Sequence, residues 1–457
     1  MEQPSHEQEG RRAKEGPSAC PHRGVGQAVP RRRAYVSSST LLICTVGSSH
    51  EPIVAALKQW RPVRVRFVHT PQTKDDVASK VVPMARAEGV DLDAGRYDLF
   101  ELPEGQDLAS CLDHLRQLTP VVAEWAARGE SFQVVVDLTG GTKCMSAAIG
   151  IQASRWPCVF SYVGGNERTK DGVGVVVSGS EIVRHAQNPW DALGHQAVDD
   201  FVVLFDQHAY LAAANIAAVT MKRVSRPDRK RELSSLEQLA KALDAWDRFD
   251  HTTSKNRLES VSKSANDLRA VLGPTRSERV LAGAAQLMTH LGQLLEAQPP
   301  SSHHVLDLLA NAKRRKDEGR FDDATARLYR ALEAIAQVAL KEGHGIESTE
   351  EVPLEKVPES LRTMWAARAN DGVVSLGLQD DYALLEALGD PLGQKFRTAG
   401  LSGPKSRLVA RNRSILAHGF VPVAGPVFER LWGDALSLAN VDEASLPFFP
   451  ELALGKP

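Results

Sequence analysis

Val136-Asp137-Leu138-Thr139-Gly140-Gly141-Thr142-Lys143-Cys144-Met145 is the stretch on which the reading of the fold turns. A short apolar run ends at two glycines, and a small-residue helical pattern, Thr142 to Arg155, starts directly after them. Paired glycines let the backbone turn sharply and let a ligand come close to it. The first turn of a new helix presents N–H groups without internal partners and a positive dipole end, both suited to an anion. Lys143 adds a full cation at the same place.

Upstream, Leu41 to Val46 reads as a buried strand ending at Gly47, followed by a helix over Glu51 to Gln59 and a strand over Val63 to His69. Tyr97 to Leu102 reads as a third strand and Asp107 to Arg128 as one long amphipathic helix. Phe132 to Leu138 is a fourth strand and Cys158 to Val163 a fifth. Val173 to Ser178 and Glu181 to His185 read as a closing hairpin over Gly179-Ser180. Strands and helices alternating in this way imply a mostly parallel, doubly wound sheet, whose ligands bind at the carboxyl ends of its strands. The loop after the first strand, Gly47-Ser48-Ser49-His50, is therefore expected at the same edge as the Gly140-Gly141 turn.

From Asn188-Pro189 onward the pattern is helical. Trp190 to Thr220 reads as one long periodic segment. The basic run Lys222, Arg223, Arg226, Arg229, Lys230 and Arg231 reads equally as an exposed connecting loop or an RNA contact. Gln298 to Ser302 is a linker, and the pair His303-His304 reads as lying in it, exposed to solvent and not as a ligand. A helix–turn–helix follows around Glu318-Gly319-Arg320, resembling a single tetratricopeptide unit, and Ser406 to Gly419 forms a last helical segment. The expected organisation is a disordered tail over residues 1–36, an α/β domain over 37–189, a helical connecting domain over 190–300 and a second helical domain over 301–457.

An apolar content of 42% and a charged content of 25% over 457 residues fit a globular protein long enough for two or three cores. The formal net charge of −2 leaves any nucleic-acid contact to local basic clusters. Cys20, Cys44, Cys111, Cys144 and Cys158 are scattered and form no C-x-x-C pair, a usage that points to a reducing cytosol and offers no zinc site. Apolar runs are too short to span a membrane, and the first residues lack a secretory apolar core, so a cytoplasmic protein is expected. Adjacent carboxylates, Asp199-Asp200, Asp322-Asp323 and Asp380-Asp381, do not converge on one point of a helix, and Glu-x-Lys does not occur.

Neither G-x-x-x-x-G-K-[S/T] nor G-x-G-x-x-G is present at these turns, which argues against a P-loop and against dinucleotide binding. The Asp137 to Lys143 run, with Gly47-Ser48-Ser49 after the first strand, instead resembles the CARF domain, the Rossmann-like sensor of type III CRISPR defence. The resemblance covers about Val36 to Asn188. It implies a homodimer that binds one cyclic oligoadenylate across its two-fold axis, with Gly47, Ser48, Ser49, Thr139, Gly140, Gly141, Thr142 and Lys143 around phosphates and ribose.

The second informative segment is Ala410-Arg411-Asn412-Arg413-Ser414-Ile415-Leu416-Ala417-His418-Gly419. Read as a helix ending at glycine, it puts Arg411 and His418, seven apart, on nearly one face, with Arg413 further round. Metal-free phosphodiester cleavage needs a cation for the scissile phosphate and a group titrating near neutrality, which Arg and His supply. The segment resembles the HEPN nuclease signature, an Arg followed by four to six residues and a His. Asp322 to Val338, with Tyr329-Arg330 and Glu333, resembles the first HEPN helix. Both Arg411 and Arg413 satisfy that spacing, and Asn412 after Arg411 favours the former.

Together the resemblances imply an α/β Rossmann-like CARF domain followed by an all-α region with a HEPN domain. The implied function is a cyclic oligoadenylate-activated, metal-independent endoribonuclease of CRISPR antiviral defence. It would cut single-stranded RNA by 2′-hydroxyl attack, with Arg411, Asn412, Arg413 and His418 as catalytic candidates, in a site composed across a HEPN dimer. No metal or cofactor is implied beyond the cyclic activator, whose ring size stays open. The competing reading is a CARF-type sensor whose helical half binds a partner or nucleic acid without cleavage.

Overall fold

A strand covered on both faces needs an unbroken apolar run, and β1 (Ser39–Thr45) has one. Leu41 and Ile43 join one core with Val134 and Val136, whereas Leu42 and Cys44 join another with Val65, Phe67 and Val135. The computed structural model describes residues 39–129, 131–165, 168–170, 173–176 and 180–453; the expected tail over residues 1–36 lies outside the described residues. Around β1 run β2 (Arg64–His69), β3 (Tyr97–Glu101), β4 (Phe132–Asp137) and β5 (Val159–Gly165), all parallel, in the order β3-β2-β1-β4-β5. The expected mostly parallel sheet is borne out.

The closing hairpin is not formed as expected. β6 (Arg168–Lys170) and β7 (Val173–Val176) pair with each other, and β8 (Glu181–Gln187) runs antiparallel along β5. The open edge of β5 offers a longer ladder of backbone groups than a local hairpin would. Val177, Ser178 and Gly179 of the expected hairpin lie outside the described residues.

Helices cover both faces. α1 (Glu51–Trp60), α2 (Lys74–Asp76) and α3 (Val82–Ala87) lie on the Leu42 side, where Ile53, Leu57 and Ala85 are buried. α4 (Leu108–Leu115), α5 (Thr119–Ala126) and α6 (Lys143–Ala153) lie on the other, burying Cys111, Val122 and Ile149. The long helix expected over Asp107 to Arg128 is therefore two helices joined by a 3-10 turn, Arg116–Leu118. Pro120 has no N–H to continue α4, and it suits the first turn of a new helix.

Beyond Asn188, the single segment expected over Trp190 to Thr220 is also two helices, α7 (Pro189–Asp206) and α8 (Tyr210–Arg223). The chain reverses at His208, whose φ is 58°. α9 (Pro227–Asp247) follows at once, so the basic run lies on two helix ends and the short link between them. Several of its cations are committed: Arg223 covers Trp190, Arg226 pairs with Asp228, Arg229 with Glu232 and Arg231 with Asp267.

α10 (His251–Lys263), α11 (Ala265–Leu272), α12 (Pro274–Glu296), α13 (Ser302–Asp317) and α14 (Phe321–His344) continue the bundle. A small ribbon, β9 (Val352–Pro353) with β10 (Val373–Val374), accompanies α15 (Glu359–Ala366), α16 (Leu378–Ala387), α17 (Pro391–Thr398), α18 (Val409–Asn412) and α19 (Gly425–Ala439). One apolar core runs from Val198 to Leu452, so the Gln298 to Ser302 linker joins α12 to α13 without dividing two cores. His303 and His304 sit in the first turn of α13, not in the linker; both are half-buried rather than exposed, and His304 Nδ1 lies 2.7 Å from Ser301 Oγ.

Asp307 of α13 ties these helices together. Its buried carboxylate accepts from Trp246 Nε1 at 2.6 Å, His251 Nε2 at 2.9 Å and His290 Nε2 at 3.4 Å, drawn from α9, α10 and α12. Burial opposes the charge, yet these hydrogen bonds and Arg314 hold the carboxyl well below its ordinary range.

Candidate functional site

The strand order reverses between β1 and β4, which have their helices on opposite faces, and in doubly wound sheets such an edge is where ligands bind. Gly47 after β1 and Gly141 after β4 touch backbone to backbone: a Cβ on Gly47 would lie 2.7 Å from the Gly141 nitrogen. Gly140 is tighter still, for its Cβ would come within 2.0 Å of the Thr45 carbonyl oxygen. Gly141 has φ +78°, a left-handed conformation that favours glycine. The double glycine is thus required by close packing and by backbone conformation.

The rest of the turn is pinned from below. Buried Asp137 accepts from Thr139 N–H at 3.0 Å and from Ser161 Oγ at 2.8 Å. Burial raises its pKa above the usual carboxylate value despite those bonds. Thr139 Oγ1 accepts from Val163 N–H at 2.7 Å. Thr142 caps α6, accepting from Met145 N–H at 3.2 Å, and donates to the Gly105 carbonyl. The hydroxyls of Thr139 and Thr142 therefore hold the loop, while Ser48, Ser49 and Lys143 are exposed. Lys143 is the first residue of α6, which puts a cation beside the N–H groups of the helix start.

Sequence reading missed two contributors. The loop after β3 supplies Gly105 and Gln106, whose carbonyls accept from Thr142 Oγ1 and Cys144 Sγ. Thr70 and Thr73, after β2, form a reciprocal cap, and Thr73 Oγ1 also donates to the Val46 carbonyl at 3.3 Å. Their shared signal was position: each follows a parallel strand at its carboxyl end.

The second candidate site sits where α18 ends. The helix expected over Ser406 to Gly419 is not formed; only Val409–Asn412 is α-helical. Beyond it the chain closes in tight turns: Ala417 N–H donates to Ser414 O at 3.0 Å, His418 N–H to Asn412 O at 3.2 Å and Val421 N–H to Arg413 O at 2.9 Å. Asn and Ser bind nearby backbone groups in non-helical conformations, so Asn412 and Ser414 are poor carriers of a helix. The shared-face argument for Arg411 and His418 consequently fails, although both remain on one compact turn. Gly419 closes that turn, since a Cβ there would lie 2.1 Å from the Arg413 carbonyl oxygen.

Arg411 lays its guanidinium over the ring of Tyr329 on α14, 4.6 Å from the centroid. One guanidinium nitrogen lies 3.4 Å from Asn412 Oδ1, and buried Nε has no partner. Asn412, Arg413 and His418 are exposed. Around them stand exposed apolar side chains: Phe420 is 91% exposed, Ile415 69% and Val421 59%. Among the described residues no three His, Cys, Asp or Glu side chains group as metal ligands, and no helix is long and apolar enough to cross a membrane.

Residues 296–442 match the family model of the Csm6 HEPN domain, which places α13, α14, α16 and α18 within that domain. The solved structure of Enterococcus italicus Csm6 bound to cyclic hexa-2′-fluoro-hexa-dAMP is similar over 89% of this chain and 96% of that one, at 12% identity and a TM-score of 0.54. Can2 from Sulfobacillus thermosulfidooxidans, in complex with cyclic tetra-adenylate, matches 39% of this chain and 50% of that one, at 15% identity and a TM-score of 0.23. No curated protein is significantly similar in sequence. The expected architecture, a Rossmann-like domain followed by helices that carry a HEPN domain, is borne out.

Proposed function

We propose that the chain is a CRISPR-associated endoribonuclease activated by cyclic oligoadenylate. The observation that carries the reading is that the Arg411–His418 turn lies inside residues 296–442, the part that matches a Csm6 HEPN domain. The β1/β4 edge supports the sensor half. The Gly140-Gly141 turn brings the N-terminus of α6 and Lys143 to that edge, where they attract a phosphate, and Ser48 and Ser49 offer hydroxyls to ribose.

In the helical half, Arg411 holds the scissile phosphate and stabilises the charge that develops on it. The substrate's own 2′-hydroxyl attacks that phosphate, expelling the 5′-oxygen of the next nucleotide and leaving a 2′,3′-cyclic phosphate. His418 moves a proton at the attacking or the leaving oxygen, and Asn412 orients the guanidinium. Tyr329 supports the resting guanidinium from below.

A second copy of the chain completes this site. Phe420, Ile415, Leu416 and Val421 form an exposed apolar patch beside His418, of the kind that marks a contact surface. Self-association there brings two Arg–His turns together, as the HEPN resemblance implies, in a homodimer that likewise presents two sensor edges to a cyclic ligand built of repeated nucleotides.

The test is end-group analysis of RNA cut by the purified protein in EDTA, with cyclic tetra- or hexa-adenylate added. The proposal expects cleavage that persists in chelator and yields 2′,3′-cyclic phosphate and 5′-hydroxyl ends. Activity that disappears with EDTA and returns with manganese or magnesium would overturn it.

A further inference from the structure

Phe249 stands where a helix end usually carries glycine. α9 closes in a Schellman turn: Phe249 N–H donates to the Trp246 carbonyl at 3.0 Å and Asp250 N–H to the Ala245 carbonyl at 2.9 Å. The corner of such a turn is left-handed, and Phe249 has a φ of 64°. Glycine takes that conformation freely, whereas a bulky aromatic residue is strained in it. Core packing does not offset the strain, because the side chain is 38% exposed. A ring kept at the surface against the preference of its own backbone calls for a contact outside the fold.

Beside Phe249 lies a cavity of about 190 Å³, between that turn, the Pro299-Pro300 linker, α13 and α14. Phe249, Pro299 and Leu308 give it apolar walls, and His251, His304 and Arg330 bring nitrogen groups to it. The lining's carboxylate, Asp307, is already taken up by Trp246, His251 and His290. Each imidazole commits one nitrogen, His251 Nε2 to Asp307 at 2.9 Å and His304 Nδ1 to Ser301 Oγ at 2.7 Å. The other nitrogen of each has no partner among the described residues. Burial lowers the His304 pKa, helped by His251, His303 and Arg330 against Asp307, so this imidazole is neutral at pH 7. Arg330 is exposed and held through Nη1 alone, by Gln337 at 3.0 Å and Glu333 at 3.3 Å.

We propose that this cavity is a subsite for one unpaired base of single-stranded RNA, with Phe249 stacked on the face of the base and Arg330 on the adjoining phosphate. The inference deepens the proposed function and rests on RNA being its substrate. A flat apolar wall suits the face of a base, imidazole nitrogens suit its edge, and an exposed guanidinium suits a phosphate. The subsite also adjoins the Arg411–His418 turn. Tyr329, which lies under Arg411, immediately precedes Arg330 on α14. The two side chains leave that helix about 100° apart, so a strand crossing α14 meets both.

The experiment measures, by fluorescence anisotropy, how the full-length protein binds a labelled ten-nucleotide RNA in the presence of cyclic tetra- and hexa-adenylate. The RNA is 2′-O-methylated throughout and so lacks the attacking hydroxyl. Phe249→Gly and Arg330→Ala should each raise Kd about tenfold, and Phe249→Tyr, which keeps the ring, should bind as the wild type does. Melting temperature separates this role from a structural one: Phe249→Gly relieves the left-handed backbone and should melt no lower than the wild type. Should Phe249→Gly not fold, Phe249→Leu, which keeps bulk without the ring, takes its place. Wild-type affinity in the folded Phe249 and Arg330 variants would overturn the inference, as would a wild type that binds no RNA. Cleavage of unmodified RNA distinguishes the two readings. A wild type that binds through Phe249 yet leaves that RNA uncut would sink the nuclease and leave the subsite standing, whereas cleavage with unchanged affinity in the variants would do the reverse.

Discussion

Gly140 and Asp381 show how far single residues can be understood. Gly140 was legible from sequence because two glycines between a strand and a helix have few other uses, and its contact with the Thr45 carbonyl gives the physical reason. Gly140→Ala is expected to displace the turn and to weaken cyclic oligoadenylate at least tenfold by isothermal titration; unchanged affinity in a folded variant would remove the turn from the binding site. Asp381 could not be read from sequence, since its character comes from burial against α14, a non-local contact. Its carboxyl rises from about 3.9 in an unfolded chain to about 8 in the fold. The folded protein is thus the stronger proton binder, so stability is full below about pH 4 and declines as pH rises towards 8. Asp381→Asn escapes that decline. Its melting temperature should exceed the wild type's at pH 7, by the equivalent of roughly 2–4 kcal/mol, and converge with it near pH 4. Equal melting temperatures across that range would mean that the carboxyl titrates normally.

At the scale of elements, the sheet was read well because apolar runs such as Leu41 to Val46 report burial on both faces locally. Pro120 announced the break between α4 and α5 but was outweighed by the helical periodicity around it. Nothing comparable marks the α7–α8 reversal: Gln207, His208 and Ala209 include neither glycine nor proline, yet His208 takes the left-handed conformation. The Arg411–His418 segment was legible as a motif but not as a conformation, since apolar spacing suggested a helix that Asn412 and Ser414 interrupt. The resulting turn makes a sharp prediction about register. Arg411→Ala and His418→Ala should each lower ligand-stimulated cleavage by about 10²–10⁴-fold. Arg413→Ala should be milder, because this side chain is exposed while its backbone carbonyl does the structural work of receiving Val421. A larger loss from Arg413→Ala than from Arg411→Ala would reverse the two assignments.

For the whole molecule, the continuous core from Val198 to Leu452 and the Asp307 clamp make the connecting helices and the HEPN helices one packed body. Sequence gave no sign of that continuity, because Gln298 to Ser302 reads as a domain linker whatever packs around it. The proposed self-association belongs to this scale as well. Phe420→Asp should shift the protein towards monomer in sedimentation and lower RNA cleavage at least tenfold, with the isolated sensor edge unaltered in sequence; a fully active dimeric variant would show that the apolar patch lies elsewhere than the interface. The proposed function rests on control of one half by the other, and the dose-response of RNA cleavage against cyclic oligoadenylate probes that control for the wild type, Lys143→Ala and His418→Ala. Removing the exposed cation at the start of α6 should move the midpoint to about ten- to a hundredfold higher ligand, the equivalent of roughly 1.5–3 kcal/mol, with the plateau unchanged. His418→Ala should bind ligand as before yet lose the plateau. Full ligand-stimulated cleavage by His418→Ala, or wild-type cleavage indifferent to ligand, would contradict a sensor that commands a HEPN nuclease.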